Sequence, residues 1–340
     1  MSKGFSSLII LIFVAAILAI GGYFLIKPQL TKETKPQKNY HVGIISGVDA
    51  FYSVADSFKA KMSELGYVEG KNITYKTARL NADPEGEKQT AEEFVKGKVD
   101  LIFAFPTEPA LIAKAAAKGT NIPVVFGLAG TEETNLVENL SRPGGNVTGV
   151  RFNGPDLAVK RLEILTEMAP KAKRIYIVYD KNYPLAAKTL EALESAAPSL
   201  DVTLVKAPVS TVDGIKSELD SRDSLGNIGI DAILIMPELL SQSPQGWGPI
   251  RDFAKKHKVP IAGSLSFEAY DGAVFSYAPE NDEIGSQAAI IADKILKGTP
   301  AGEIFVVTPT ANLIINYKLA QSMGLTVSEA LLTRAKEIIR

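Results

Sequence analysis

The chain has 340 residues, of which 46% are hydrophobic and 22% are charged, and its formal net charge is −1 at pH 7. This length can bury a sizeable core and form two domains, and the balanced charge gives no indication of a nucleic-acid partner. The sequence contains no cysteine, which excludes disulfides, thiolate chemistry, cysteine metal sites and acylation of an N-terminal lipoprotein cysteine.

The N-terminal part of the chain contains an apolar stretch, Phe5–Ile26, of 22 residues without a charged side chain. A helix rises about 1.5 Å per residue and would cross a bilayer at this length, so residues 1–26 are predicted to be a transmembrane anchor or an export signal. An uncleaved anchor is favoured because the stretch exceeds the roughly 7–15 apolar residues of a signal-peptide core, while cleavage near residues 19–22 stays open. Residues 27–39 are predicted to be a linker.

Lysines are placed unevenly around this stretch, because only Lys3 precedes it whereas four lysines follow between positions 27 and 38. The positive-inside rule, taken literally, would keep the following domain in the cytoplasm. Large domains are nevertheless translocated despite such a bias, so the charge pattern does not fix the orientation.

Short apolar runs alternate with stretches of helical periodicity from His41 onward. In chain order the first half is predicted to contain the strand His41–Ser46, the helix Phe51–Leu65, the strand Asn72–Thr77, the helix Pro84–Lys96, the strand Val99–Phe103, the helix Thr107–Ala117 and the strand Ile122–Phe126. Repeated strand–helix units of this kind predict a parallel sheet with helices on both faces.

The segment Leu140–Phe152, LSRPGGNVTGVRF, interrupts this alternation. Pro143 fixes one backbone angle and the pair Gly144-Gly145 admits conformations closed to other residues, which predicts a turn or a crossover. From these residues alone an ordinary surface turn is the simpler interpretation. Its position between two similar halves favours a hinge between two lobes that close over a cleft.

After this segment the alternation of helix and strand resumes. The predicted elements are the helix Pro155–Met168, the strand Arg174–Tyr179, the helix Pro184–Ala197, the strand Val202–Lys206, the helix Val212–Ser221, the strand Ala232–Met236, the helix Ile250–Lys256, the strand Val259–Gly263, the strand Ala273–Tyr277, the helix Asp282–Leu296 and the strands Phe305–Thr308 and Leu313–Asn316. The last four indicate that the chain crosses back to the first half and then returns. We therefore assign residues 40–148 and 268–304 to lobe 1, and residues 149–267 and 305–340 to lobe 2.

Several segments together resemble one family of proteins. They are His41–Gly47, Phe58–Tyr75, Phe94–Ala110, Ile122–Phe126, Leu140–Val150 and Asn312–Leu332. From about Tyr40 to the C-terminus the chain resembles the substrate-binding proteins of ABC transporters, specifically the TrpX-like family linked to aromatic amino-acid uptake. The combination of GYVEGKN, KVDLI, RPGGNVTG and the C-terminal IN-x-K-x-A-x-x-x-G-L makes the resemblance specific.

The resemblance implies an α/β fold of the type I periplasmic-binding-protein class, with two Rossmann-like lobes that have parallel sheets and are joined by a three-crossover hinge. It implies capture of a small organic ligand, with an aromatic amino acid as the specific expectation, and delivery to the permease and ATPase subunits of an ABC importer. The protein is then expected to be monomeric and extracytoplasmic, either anchored in the membrane by its N-terminal helix or exported after cleavage. No cofactor, metal or nucleic-acid partner is predicted.

Two stretches depart from the family pattern. Relatives have a Thr-Asp-Pro-like turn after the fourth strand, where this chain has Gly127–Glu132, and the family's late Tyr-x-x-Asp motif reads Tyr277-Ala278-Pro279-Glu280 here. The inferred fold does not depend on these residues, whereas the identity of the ligand does.

Ligands of open α/β sheets bind beyond the carboxyl ends of the strands, so the loops that follow the strands hold the candidate binding residues. Thr107 begins a helix whose N-terminus can bind a carboxylate, and Glu238 and Glu280 can pair with an amino group. Each candidate also has an ordinary structural role, such as a helix cap, core packing, a turn or a solvated surface charge. The complete set is Ser46, Phe105, Thr107, Thr131, Phe152, Asn153, Tyr183, Glu238, Ser264 and Glu280.

Two other classes of function stay open at this point. A ligand-sensing ectodomain would use the same fold to signal through a membrane partner, and neighbouring genes for a permease and an ATPase would favour transport over sensing. An α/β enzyme is the third class, but the sequence has no phosphate-binding G-x-x-x-x-G-K-[ST] loop, no G-x-S-x-G elbow and no H-E-x-x-H pair. No catalytic residue is therefore predicted, and the protein is expected not to be an enzyme.

Overall fold

A computed structural model describes residues 38–340, apart from Ala82 and Glu133. The predicted anchor or signal, and all but the end of the predicted linker, lie outside the described residues. Within the described part of the chain, no helix combines the length and the hydropathy that crossing a bilayer requires. Residues Tyr40–Arg340 form one compact unit.

The first half of this unit is built on a five-stranded sheet in which all strands are parallel. Its elements are β1 (Tyr40–Ser46), α1 (Ser53–Glu64), β2 (Ile73–Arg79), α2 (Pro84–Lys96), β3 (Leu101–Phe105), α3 (Thr107–Ala116), β4 (Val124–Ala129) and β5 (Val147–Arg151). The strand order is β2-β1-β3-β4-β5. Every residue of β3 is buried, as expected for a parallel strand covered on both faces.

The second half is built on a seven-stranded sheet. Its elements are α4 (Gly154–Met168), β6 (Arg174–Asp180), α5 (Ala186–Ala196), β7 (Thr203–Val209), α6 (Val212–Asp223), β8 (Ala232–Leu234), α7 (Leu239–Gln242), α8 (Pro244–His257), β9 (Ile261–Gly263), α9 (Ser266–Tyr270), β10 (Phe275–Pro279), α10 (Asn281–Leu296), β11 (Ala311–Asn316), α11 (Tyr317–Ser322), α12 (Glu329–Arg334) and β12 (Glu337–Ile339). The strand order is β12-β11-β10-β9-β8-β6-β7. The pair β10–β11 is antiparallel, and the other pairs are parallel.

Apolar side chains fill both faces of each sheet. On the first sheet one face is covered by α1 and α10, through residues such as Phe58 and Ile284, and the other by α2 and α3, through residues such as Phe94. On the second sheet α4 and α5 cover one face, and α6 and α8 cover the other. The predicted architecture of two α/β lobes with parallel sheets is therefore confirmed.

The bounds of the lobes differ from the predicted ones at the C-terminal crossovers. Strand β10 lies within the predicted range 268–304 of lobe 1, but it pairs with β9 and β11 in the second sheet. Residues 281–307 return to the first sheet, where α10 packs against α1 and Val307 forms a bridge with Val150 of β5. The predicted boundary between residues 148 and 149 divides β5 between the lobes, but the whole of β5 pairs with β4 of the first sheet.

Only the end of the predicted hinge segment Leu140–Phe152 lies at a crossover between the lobes. Gly144 and Gly145, both with positive φ, precede the first residue of β5 and lie at the amino end of that strand. The amide of Gly144 donates to the carbonyl of Gly302 at 3.2 Å, so this turn is fastened within lobe 1. The hinge interpretation is therefore wrong for the two glycines.

Arg151, the last residue of β5, connects the first and third crossovers. Its Nε donates to Thr308 Oγ1 and its Nη1 donates to Glu132 Oε1, both at 2.8 Å. Its backbone amide donates to the carbonyl of Val307 at 2.8 Å. The three passages between the sheets are residues 152–153, Glu280 and residues 308–310, and Arg151 holds two of them together.

Candidate functional site

A cleft lies between the carboxyl ends of the two sheets and takes its walls from both lobes. It contains about 630 Å³ of space free of protein atoms, part of which is open to solvent. The residues that line it are Phe51, Pro106, Thr107, Glu108, Leu128, Phe152, Asp180, Asn182, Tyr183, Pro184, Pro237, Glu238, Leu239, Gln242 and Leu265.

Thr107 is the first residue of α3 and forms part of the lobe 1 wall. Its side chain is buried, and Oγ1 accepts a hydrogen bond from the amide of Gly130 at 3.0 Å. Thr107 thus ties the loop after β3 to the loop after β4, whereas Pro106 occupies the N-cap position of α3. The sequence placed Thr107 correctly at the edge of the sheet but did not reveal this contact.

Glu238 is buried in the lobe 2 wall and caps the short helix α7. Its carboxylate accepts hydrogen bonds from the amides of Leu240, at 2.6 Å, and Ser241, at 3.0 Å, and from the Ser241 hydroxyl. Burial raises the pKa of Glu238, against the lowering effect of these donors, and nearby Asp180 adds to the rise. The cap holds the carboxylate in place beside the cleft.

Two more carboxylates line the cleft, Glu108 in the first turn of α3 and Asp180 at the end of β6. Burial raises the pKa of Glu108, and the charge of Asp180 adds to this effect. Tyr183 lies among the carboxylates, and its pKa is raised chiefly by burial and then by Glu108 and Glu238. The cleft therefore concentrates negative charge contributed by both lobes.

Beneath the lobe 2 wall lies a buried pair of opposite charges, Arg161 of α4 and Glu268 of α9, both 0% exposed. Arg161 Nη1 donates to the carbonyl of Tyr277 at 3.3 Å, while its Nε and Nη2 and the Glu268 Oε1 have no hydrogen-bond partner. Burial lowers the pKa of Arg161 to about 10 and raises the pKa of Glu268 to about 7, and each charge partly offsets the shift of the other.

Four of the ten candidate residues from the sequence line the cleft, and six do not. Thr107, Phe152, Tyr183 and Glu238 belong to the lining. Ser46 is buried beside its own loop, where its hydroxyl donates to the carbonyl of Val48 at 3.2 Å. Phe105 packs in the core against Phe103, with 5.0 Å between the ring centroids.

The other four candidates are engaged elsewhere. Thr131 contacts Glu132, and the Asn153 amide donates to Asp156 within the first turn of α4. Ser264 lies behind the wall, where its hydroxyl accepts from the Gln242 side chain at 2.8 Å. Glu280 forms an ion pair with Lys336 at 2.5 Å and lines a neighbouring groove.

Comparison with known proteins identifies the family. A family model described as ABC transporter substrate binding protein matches residues 41–339. The chain belongs to this family. The resemblance drawn from the sequence segments is thereby confirmed, and the protein is a substrate-binding protein of an ABC transporter.

Relatives of this substrate-binding protein include a curated protein named tyrosine-binding protein from Clostridioides difficile (strain R20291), 27% identical over 290 residues, which are 84% of this chain and 81% of the relative. A crystal structure of an ABC domain in complex with L-Trp, from Streptococcus pneumoniae, has a TM-score of 0.79 at 22% identity, over 89% of this chain and 100% of that one. The ligand-free, open structure of a substrate-binding protein with adhesive properties, from Clostridium difficile, has a TM-score of 0.68 at 24% identity, over 88% of this chain and 98% of that one.

Several lining residues of the substrate-binding protein were missed although the sequence carried a signal for them. Glu108 directly follows Thr107, Asp180 and Asn182 follow the end of one predicted strand, and Leu265 follows the end of another, which is the place where cleft residues are expected. Gln242 carried no such signal, because its position depends on how α7 folds back against the sheet.

Proposed function

We propose that this substrate-binding protein captures an amino acid with an aromatic side chain between its two lobes and presents it to the permease of an ABC importer. The observation that carries the proposal is the cleft itself, which combines apolar walls with carboxylates that face no lysine, arginine or histidine in its described lining. An apolar pocket with a few convergent polar groups is the usual form of a small-molecule site.

The walls suit a ligand with a flat apolar body and an amino group. Phe51, Leu128 and Phe152 offer apolar surface from lobe 1 and the crossover, and Tyr183 faces them from lobe 2. An ammonium group placed near Asp180 would make charge-assisted contacts, which are stronger than neutral hydrogen bonds. Two similar proteins, a tyrosine-binding protein and an ABC domain in complex with L-Trp, support the same class of ligand.

The mechanism is closure of the lobes over the bound solute. Because residues 152–153, Glu280 and residues 308–310 connect the lobes side by side, a bending motion can change their separation while the sheets stay intact. The ligand then bridges Thr107 and Leu128 on one side and Tyr183 and Glu238 on the other. In this proposal no chemical step occurs in the cleft.

We also propose a location and partners for the protein in the cell. The domain would lie outside the cytoplasm, tethered by residues 1–26 or released after their cleavage, and would act as a monomer. Its partners would be the permease and the ATPase subunits of the importer. The linker at residues 27–39 would hold the domain at the membrane surface when the anchor is retained.

A thermal-shift screen of the full chain in detergent tests the class of ligand. We expect L-tyrosine, L-tryptophan or L-phenylalanine to stabilise the protein, by about 2.7 kcal/mol when the ligand is present at 100 times its Kd. Tyr183→Ala should weaken the binding of the same amino acid about tenfold, because it removes the aromatic wall of lobe 2.

Tyr270→Ala is the matched control, because Tyr270 is an exposed tyrosine that contacts Glu337 outside the lining. Its affinity for the amino acid should equal that of the parent. Stabilisation by sugars or nucleosides but by no amino acid would contradict the proposed class of ligand, and equal weakening by both variants would remove Tyr183 from the site.

A further inference from the structure

The charge of the cleft is one-sided. Three carboxylates belong to its lining, Glu108 from lobe 1 and Asp180 and Glu238 from lobe 2, and the described lining includes no lysine, arginine or histidine. Behind Glu108 lies a fourth carboxylate, Glu87 of α2, which is 3% exposed. Burial, followed by the charges of Glu108 and Asp83, raises the pKa of Glu87 to about 7.

Two arginines near the cleft lie outside its lining. Arg161 is fully buried and its Nη1 donates to the carbonyl of Tyr277, while its Nε and Nη2 have no hydrogen-bond partner. The charges of Arg161 and Glu268 partly offset each other. Arg151 forms an ion pair with Glu132 at 2.8 Å. Neither arginine belongs to the lining, so the described cleft retains the charge of its carboxylates.

Several polar groups of the lining can accept further hydrogen bonds. The Glu108 carboxylate accepts from its own backbone amide, and no side-chain hydrogen bond joins it or the Tyr183 hydroxyl to another described residue. The Gln242 side chain uses its amide nitrogen for Ser264 and leaves its oxygen available. Each of these groups can accept a hydrogen bond, so together they suit a ligand group that donates several.

Asp180 is near both glutamates, since its charge raises the pKa of Glu108 and of Glu238. Because Glu108 belongs to lobe 1 and the other two belong to lobe 2, closing the empty cleft brings like charges together. A cationic group placed between the lobes would replace this repulsion with attraction to both sides. A ligand carboxylate would restore the repulsion, and Glu108 in the first turn of α3 opposes the favourable effect of that helix N-terminus on anions.

We propose that the cleft selects ligands with a positive net charge, and that it binds an aromatic primary amine more tightly than the zwitterionic amino acid with the same ring. This inference rests on the proposed function, because it assumes the same cleft and the same kind of ring, and it specifies the charge of the ligand. The amine is held between Glu108 and Asp180, and the absence of a ligand carboxylate is favourable.

Isothermal titration calorimetry of the full chain in detergent at pH 7.5 tests the inference with matched ligands. The pairs are tyramine against L-tyrosine and tryptamine against L-tryptophan, and 3-(4-hydroxyphenyl)propanoate supplies the carboxylate without the amine. We expect each amine to bind at least about tenfold more tightly than its amino acid, and the propanoate not to bind. Glu108→Gln should reduce this preference about tenfold, whereas Glu194→Gln, which changes an exposed carboxylate of α5 outside the lining, should leave it unchanged.

The outcomes separate the inference from the proposed function. If the amino acids bind as tightly as the amines or more tightly, the inference is overturned and the proposed function stands. If neither class binds while a sugar does, both fail. Circular dichroism checks that each variant is folded, and Asp180→Asn takes the place of Glu108→Gln if that variant does not fold. A preference for amines that neither folded variant reduces would overturn the role of the carboxylates.

Discussion

Arg161→Met is expected to lower the free energy of unfolding by about 3 kcal/mol, because it removes the cation whose charge stabilises the buried Glu268 carboxylate. Both side chains are 0% exposed, so water cannot replace the lost partner. The substitution also removes the donor to the carbonyl of Tyr277. Urea denaturation followed by circular dichroism measures the change.

Two further variants separate the charge from the loss of packing. Lys160→Met changes the neighbouring residue of α4, whose ion pair with Glu163 is partly exposed, and should alter stability by no more than about 0.5 kcal/mol. The double variant Arg161→Met/Glu268→Gln should recover at least half of the loss, because no uncompensated charge then remains. A double variant as unstable as Arg161→Met alone would contradict the electrostatic explanation.

Gly285→Leu is expected to lower the free energy of unfolding by about 3 kcal/mol through overpacking between α10 and α1. A Cβ atom at Gly285 would lie 2.3 Å from the carbonyl oxygen of Val54 and 2.8 Å from the amide nitrogen of Phe58. Both atoms belong to the backbone of α1, so the helices themselves would have to separate. Thermal and urea denaturation of the variant measure this cost.

Gly226→Leu is the matched control for this substitution. Gly226 is exposed and has no positive φ, and a Cβ atom there meets no heavy atom within 4 Å. The change should therefore alter the free energy of unfolding by no more than about 0.5 kcal/mol. Equal destabilisation by both variants would show that close packing of α10 on α1 is not the cause.

The order of the elements was predictable from the sequence because it depends on local periodicity. The buried runs of β1, β3 and β4 and the periodic helices between them were recognised, as was the resemblance to ABC-transporter substrate-binding proteins. The predicted strand Phe305–Thr308 is instead a single bridge between Val307 and Val150, and Phe305 is 57% exposed. A segment this short contains too few alternating apolar and polar residues for the sequence to distinguish a single bridge from a strand.

The bounds of the lobes and of the hinge could not be predicted from local patterns. The residues of β10 predict a buried strand, but they do not indicate which of the two sheets it joins. Gly144 and Gly145 indicated a turn correctly, but whether a turn lies at the amino or the carboxyl end of a strand depends on the pairing of β5 with β4. The hinge therefore belongs to the segment after Arg151.

The sequence could predict those residues of the candidate site that come directly after the carboxyl end of a strand. This rule located Thr107, Tyr183 and Glu238 at the cleft, and it applies equally to Glu108 and Asp180, which also belong to the lining. Arg161 could not be found in this way, because an arginine in an amphipathic helix is normally exposed. Its burial depends on the fold of α9 and on Glu268, which is far away in the sequence.

One measurement tests the central claim that two lobes close on an aromatic ligand with an amino group. The chain has no cysteine, so spin labels at Lys88→Cys in lobe 1 and Lys181→Cys in lobe 2, both exposed positions, report one distance by electron paramagnetic resonance. Saturating L-tyrosine or tyramine should shift the distance distribution to shorter values and narrow it. A distribution that stays the same with either compound, as it does with glucose, would contradict the account.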